Sequence, residues 1–118
     1  MTKKIIIIII SLFLLSFAAC KRKATVEVGN EGNVEIEVVV AGYTQNIAPY
    51  SSSLFEITWN SVAPGSWRLI DLMARPLLYE GYYDSKTITL YDGDYFYWGT
   101  GWVLETDKAL KKVRERRK

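Results

Sequence analysis

Few side chains in this 118-residue chain could carry out chemistry, because it contains no histidine and one cysteine, Cys20. Without histidine, Ser-His-Asp and Cys-His catalytic groups are excluded, as are the zinc, haem and copper sites that His and Cys form. Carboxylates, lysines, tyrosines and hydroxyls remain. We therefore expect a protein without a cofactor, a metal ion or catalytic residues, which is not an enzyme.

The most conspicuous carboxylate pair is Asp92 and Asp94, which flank Gly93. A calcium loop would need further oxygen ligands at set spacing, and a glycosidase pair would need a cleft and a defined separation. The neighbouring sequence supplies neither, whereas Asp-Gly is typical of tight hairpin turns. We interpret the segment as a turn, and a hydrolase that acts through Asp92 or Asp94 is the weakest alternative.

Aromatic residues are concentrated in 79–102, where nine of twenty-four residues carry rings. A strand alternates its side chains between two faces, and a small sandwich buries one face. Either Tyr95 and Tyr97 or Phe96 and Trp98 should then be exposed. The candidate binding residues are Tyr95, Tyr97, Trp98 and Trp102.

These rings have two functional interpretations and one structural one. Beside carboxylates they could stack on sugars, as in carbohydrate-binding surfaces. Tyr and Trp are also enriched among the anchor residues of protein interfaces. The structural alternative is ordinary core packing with cross-strand aromatic pairs.

The first twenty residues have the layout of a secretory signal. Lys3 and Lys4 precede an apolar run over 5–15, and small residues and Cys20 follow it. As a helix, 5–20 would span about 24 Å at about 1.5 Å per residue, less than the ~30 Å hydrocarbon core of a bilayer. An uncleaved membrane helix is therefore the less favoured interpretation.

The sequence Phe17-Ala18-Ala19-Cys20 resembles the lipobox of bacterial lipoproteins, although leucine is commonest where Phe17 stands. The resemblance implies a diacylglyceryl group on Cys20 and removal of residues 1–19, which leaves 99 of the 118 residues. Two or three acyl chains anchor a protein stably, whereas one binds marginally.

The same resemblance places the protein in the bacterial cell envelope. Residues 21–23, Lys-Arg-Lys, are neither the aspartate linked to inner-membrane retention nor the acidic stretch linked to surface export. We therefore expect an outer-membrane protein facing the periplasm, with the inner membrane and the cell surface as alternatives.

Charge divides the rest of the chain into an acidic body and a basic tail. Residues 24–107 hold twelve acids and three bases, a net charge of −9, whereas 108–118 hold seven bases and one acid, a net charge of +6. An acidic body argues against binding to nucleic acid. The tail either contacts anionic lipid headgroups or is a solvated, frayed end. Its eleven residues are good helix formers but too few for an isolated helix.

Alternating apolar residues predict short strands throughout 24–107. The segments 25–28 and 34–40 should form a hairpin that places Glu27 opposite Glu35. Strands are also predicted over 54–60, 87–90, 95–98 and 102–104. The segment 67–78 is either a strand with a bulge or a single helical turn.

Six or seven such strands predict an all-β fold, a small antiparallel β-sandwich. The segments VEIEVVVAGY and IAPYSSSLFEITW resemble parts of immunoglobulin-like and transthyretin-like accessory domains. The expected organisation is a signal peptide over 1–19, a lipidated basic tether over 20–23, the sandwich over 24–107 and the basic tail over 108–118.

These observations predict a membrane-anchored, non-catalytic binding or structural module. Its membrane contact would be the lipidated Cys20, and its partner would be an envelope protein. A glycan-binding module that uses the rings of 91–102 is the alternative, and a carboxylate-based envelope hydrolase is the weaker one.

Overall fold

The computed structural model describes residues 21–62, 65–105 and 109–114. The predicted signal segment 1–19 and Cys20 lie outside these residues. Strands are the only regular secondary structure in the described part. In chain order they are β1 (Lys21–Asn30), β2 (Ile36–Val40), β3 (Tyr43–Ile47), β4 (Ser52–Asn60), β5 (Trp67–Pro76), β6 (Asp84–Tyr91), β7 (Tyr95–Thr100), β8 (Trp102–Leu104) and β9 (Leu110–Lys112).

Seven of these strands form the two sheets of a β-sandwich, which confirms the predicted fold class. One sheet has the order β4-β1-β7, the other has the order β3-β2-β5-β6, and β8 pairs with β9 in a small third sheet. All pairings are antiparallel except that of β1 with β7, which is parallel. The sandwich is therefore not purely antiparallel.

The core lies between the two sheets and follows from the period-two pattern. Val26 and Val28 of β1 are fully buried, as are Ile36, Val38 and Val40 of β2. The inward-facing side chains of β4, β5 and β6 complete this cluster: Phe55, Ile57, Ile70, Leu72, Ala74, Ile88 and Leu90.

The predicted hairpin between 25–28 and 34–40 is wrong, because β1 and β2 belong to different sheets. Glu27 lies opposite Leu54 and Tyr97, not opposite Glu35. The buried Asn30 side chain fixes the crossing between the sheets. Its Nδ2 donates to the carbonyls of Val34 at 2.8 Å and Ile47 at 3.0 Å.

The ambiguous segment 67–78 forms a regular strand over most of its length. β5 pairs with β2 on one side and with β6 on the other, and Pro76 is its last residue. One strand, β3 (Tyr43–Ile47), was not predicted from the sequence. It follows a turn in which Ala41 and Gly42 have φ values of 49° and 86°. Alanine rarely adopts a positive φ, so its presence did not indicate a hairpin turn at this position.

Both basic segments contribute residues to strands. Lys21, Arg22 and Lys23 of the expected tether are the first residues of β1. In the expected tail, 110–112 form β9, and Leu110 is buried against the core. The folded body therefore extends beyond 24–107 in both directions.

The strands define two ends of the sandwich. The Lys21 end holds the start of β1, the end of β4, the start of β5 and the end of β6. The Asn30 end holds the end of β1, the start of β4 and the end of β7. Nine residue steps of β1 separate the two ends, about 30 Å at about 3.3 Å per residue.

Candidate functional site

Two of the four predicted binding residues are core residues. Trp98 is 1% exposed and Trp102 is 2% exposed. Trp98 faces inward from β7 beside Val28, and its indole Nε1 has no hydrogen-bond partner among the described residues. Because their ring faces are covered by protein, neither tryptophan offers a stacking surface to a ligand.

The other two predicted residues, Tyr95 and Tyr97, lie on the outer face of the three-stranded sheet. Tyr95 is exposed, and its hydroxyl donates a hydrogen bond to the Glu27 carboxylate. That bond, together with desolvation and the negative charge of Glu27, raises the pKa of Tyr95. The hydroxyl of Tyr97 donates to Glu31 Oε1 at 2.9 Å.

Tyr97 is occupied by contacts within the protein. Its ring crosses the outer face above Gly29, where a Cβ atom would lie 2.3 Å from the Tyr97 hydroxyl oxygen. The carboxylate of Glu31 lies over Gly99 in the same way, at 2.9 Å from where a Cβ would be. Glycine at both positions lets these side chains lie flat, so among the four predicted binding residues Tyr95 alone presents an open ring.

The Asp92-Gly93-Asp94 segment is a tight turn, as predicted, but it joins two different sheets. The Asp94 amide donates to the Tyr91 carbonyl at 3.0 Å, and Gly93 has a φ of 86°. Since β6 and β7 do not pair with each other, 91–102 is not an antiparallel hairpin.

Both carboxylates of this turn hold backbone in place. Asp92 Oδ1 accepts a hydrogen bond from the Lys23 amide at 3.0 Å, and its Oδ2 lies 3.3 Å from Arg22 Nη1. The Lys23 bond, helped by Arg22, lowers the pKa of Asp92 below 3.8. Asp94 Oδ2 accepts from the Tyr91 amide at 2.9 Å. In the described part of the chain no cluster of acids is arranged to hold a metal ion.

The outer face of the four-stranded sheet carries an apolar surface that the sequence reasoning missed. Leu69 is 57% exposed and Met73 is 42% exposed, and Val39 lies across from Met73 on β2. These three residues, here called the apolar strip, line an open groove of about 680 Å³. The signal for it was present in β5, where apolar residues occupy both faces of the strand.

Polar side chains lie within the apolar strip as well as beside it, because Asp71 stands between Leu69 and Met73 on the outer face of β5. Thr87 Oγ1 donates to Asp71 Oδ1 at 2.7 Å, and Arg75 Nε lies 3.0 Å from Glu37 Oε1. Because these groups pair with each other, they leave Met73 exposed between the two pairs, whereas Leu69 lies exposed on the other side of Asp71. Exposed apolar side chains beside paired polar groups are compatible with a protein-binding patch.

The described part of the basic tail is fixed at the Asn30 end. Lys112 Nζ lies 2.8 Å from Asp84 Oδ2, and the Val113 amide donates to the Gly101 carbonyl at 3.0 Å. The Asn33 side chain makes two hydrogen bonds to β8. Its Nδ2 donates to the Leu104 carbonyl at 3.1 Å, and its Oδ1 accepts from the Leu104 amide at 2.7 Å.

Comparison with known proteins adds no assignment. No protein-family model, curated protein or solved structure gives a significant match to the chain. Within 21–62, 65–105 and 109–114, no helix has the length and apolar character needed to span a membrane.

Proposed function

We propose that this protein is a lipid-anchored, non-catalytic module of the bacterial envelope that binds a partner protein. The lipobox-like sequence before Cys20 supports the anchor, and the absence of an acidic residue after it favours the periplasmic face of the outer membrane. The hydrogen bonds of Asp92 and Asp94 support a structural role for the carboxylates once considered for hydrolysis.

The apolar strip is the observation that carries the binding function. A two-sheet sandwich buries the inner face of each sheet, and its outer faces ordinarily carry polar residues. On β5 the outer face instead presents Leu69 and Met73 to solvent. Burying two such side chains against a partner would contribute about 1.5–3 kcal/mol each before the costs of association.

The two outer faces of the sandwich differ in a way that favours this surface over the predicted one. On the three-stranded sheet, Tyr95 and Tyr97 already bind carboxylates of the same chain. A glycan-binding platform also loses Trp98 and Trp102, which lie in the core. In contrast, Leu69 and Met73 of the apolar strip remain exposed to solvent.

Site-specific photocrosslinking in intact membranes tests this function. A photoreactive amino acid at position 69 should form one discrete adduct, and the same group at position 54 should form none. Leu54 is a matched control, because it is 65% exposed on an outer strand face of the other sheet.

Substitution within the strip then tests specificity. Met73→Thr keeps a side chain that suits strands and removes apolar area, so the adduct at position 69 should be lost. Leu54→Thr should leave it unchanged. Equal crosslinking at positions 54 and 69, or an adduct insensitive to Met73→Thr, would contradict binding through the strip.

A further inference from the structure

The start of β1 leaves no spacer between the sandwich and the proposed anchor. Lys21, the residue after Cys20, is already paired with Asn60 of β4. Consecutive Cα atoms are about 3.8 Å apart, so the Cys20 Cα lies about that far from the Lys21 Cα. An acyl group on Cys20 would therefore hold the Lys21 end itself at the bilayer surface.

The first residues of β1 are fixed in position by the rest of the sandwich. Arg22 Nη1 lies 3.3 Å from Asp92 Oδ2, and the Lys23 amide donates to Asp92 Oδ1 at 3.0 Å. The Gly93 amide donates to the Lys23 carbonyl at 2.8 Å. Freeing 21–23 as a flexible tether would break these contacts and the pairing with β4, so the orientation of the domain is coupled to the anchor.

The surface of the Lys21 end combines exposed basic and aromatic side chains. Lys21 and Lys23 are exposed beside the turn that contains Asp92. Trp67 and Tyr91 face each other across β5 and β6, and they are 55% and 49% exposed. Val62, in the loop that follows β4, is also exposed.

The charge at this end is positive on balance. Residues 21–23 carry three positive charges, and the adjacent turn 92–94 carries two negative ones. Of those carboxylates, Asp92 contacts Arg22 and Asp94 accepts a hydrogen bond from the Tyr91 amide. The two exposed lysines, together with the exposed Arg68 near the start of β5, therefore determine the charge that this end presents outward.

We infer that the Lys21 end rests directly on anionic lipid headgroups, so that the sandwich stands on the membrane by this end. The inference depends on the proposed lipid anchor at Cys20. Trp and Tyr side chains favour the headgroup level of a bilayer, and each Lys or Arg close to an anionic surface contributes about 1 kcal/mol. Anionic lipid is thus the occupant that the surface of this end fits.

In this orientation the inferred lipid contact is made by the Lys21 end and not by the described part of the basic tail. Its described residues, 109–114, are held at the Asn30 end by the ion pair of Lys112 with Asp84. That end is about 30 Å from Lys21 along β1 at about 3.3 Å per residue. A domain standing on its Lys21 end presents this part of the tail away from the bilayer.

Spin labels at the two ends test the inference with the mature, lipidated protein in vesicles of phosphatidylcholine and phosphatidylglycerol. Cys20 is the only native cysteine, and its alkylated sulfur would not react, so each variant takes one label. The two variants are Val62→Cys at the Lys21 end and Leu78→Cys at the Asn30 end. Both native side chains are exposed, at 57% and 86%.

The expected result is shielding of the label at position 62 from a water-soluble paramagnetic reagent, with full accessibility at position 78. Adding Lys21→Thr and Lys23→Thr should raise the aqueous accessibility at position 62 several-fold. Lys111→Thr on β9, the matched control, should not change it. Equal aqueous accessibility at both positions, or no response to loss of the two lysines, would overturn the inference.

Failure of the anchor itself gives a different result. A chain with an unmodified Cys20 would take two labels, visible as added mass. That outcome would contradict the proposed function. One label per chain with equal accessibility at both ends would instead leave the anchor intact and reject the membrane-facing end alone.

Discussion

The two ends of the sandwich are built differently, although β1 runs through both. At the Lys21 end, the start of β1 is held to the 92–94 turn by the ion pair of Arg22 with Asp92, which lies at the surface. At the Asn30 end, buried polar groups also hold the chain, since Asn30 and Thr100 are each 1% exposed. The difference indicates that the Asn30 end contributes buried contacts to fold stability, whereas the Lys21 end has the exposed side chains on which the proposed membrane contact rests.

The largest expected effect is a difference in stability between two tryptophan substitutions, one in the core and one at the Lys21 end. Trp98→Ala should lower the free energy of unfolding by about 4 kcal/mol, because it leaves a large cavity in the core. Trp67→Ala, at the exposed Lys21 end, should change it by less than about 0.5 kcal/mol. Urea unfolding of the two variants in detergent measures both values, and similar losses would contradict the assignment of Trp98 to the core.

A smaller effect should follow from loss of the buried amide at the Asn30 end. Asn30→Ala would leave the carbonyls of Val34 and Ile47 without their donor, at a cost of about 3 kcal/mol. Asn33→Ala is the matched control, because its two hydrogen bonds to Leu104 are exposed, and about 1 kcal/mol is expected. Equal costs in urea unfolding would mean that burial does not distinguish the two asparagines.

At the Lys21 end, the Asp92 carboxylate should make stability depend on acid pH. Its pKa is lowered in the folded protein by the Lys23 amide and by Arg22. It therefore stabilises the fold above the unfolded pKa of 3.8, and this contribution is lost as the pH falls through the folded value. The difference in stability between wild type and Asp92→Asn should vanish at the acid end of a pH series, and a constant difference would argue against the ionised contact.

The smallest expected effect lies between the ends, at Tyr95. Its pKa is raised above 10.0 by the bond to Glu27, so the bond stabilises the fold below pH 10.0 and is lost as the pH rises through the folded value. Glu27→Gln should return the Tyr95 pKa towards its ordinary value. Tyrosine ring carbon shifts, assigned by comparison with Tyr95→Phe, would show this, and an unchanged titration would contradict the contact.

Period-two alternation was sufficient to predict the fold class and several strands, including the one predicted over 54–60, which is β4. It was not sufficient to predict strand neighbours, because alternation determines which residues share a face but not which strand lies alongside. The parallel pairing of β1 with β7 joins residues about seventy positions apart in the chain. No local pattern indicates such a pairing.

The candidate site was only partly predictable for the same reason. The alternation of 95–98 indicated that Tyr95 and Tyr97 share one face and Trp98 lies on the other, but not which face is buried. The apolar strip depends on Val39 and Met73 becoming neighbours across β2 and β5. The contact of Asp92 with Arg22 likewise exists only once two sheets have assembled.

The intact mass of the protein extracted from membranes tests the central claim most directly. We predict a chain that begins at Cys20, contains 99 of the 118 residues and carries the added mass of its acyl groups. Cys20→Ala should abolish both the cleavage and the added mass. An unmodified full-length mass in the wild type would contradict the lipid anchor and, with it, the orientation of the Lys21 end at the membrane.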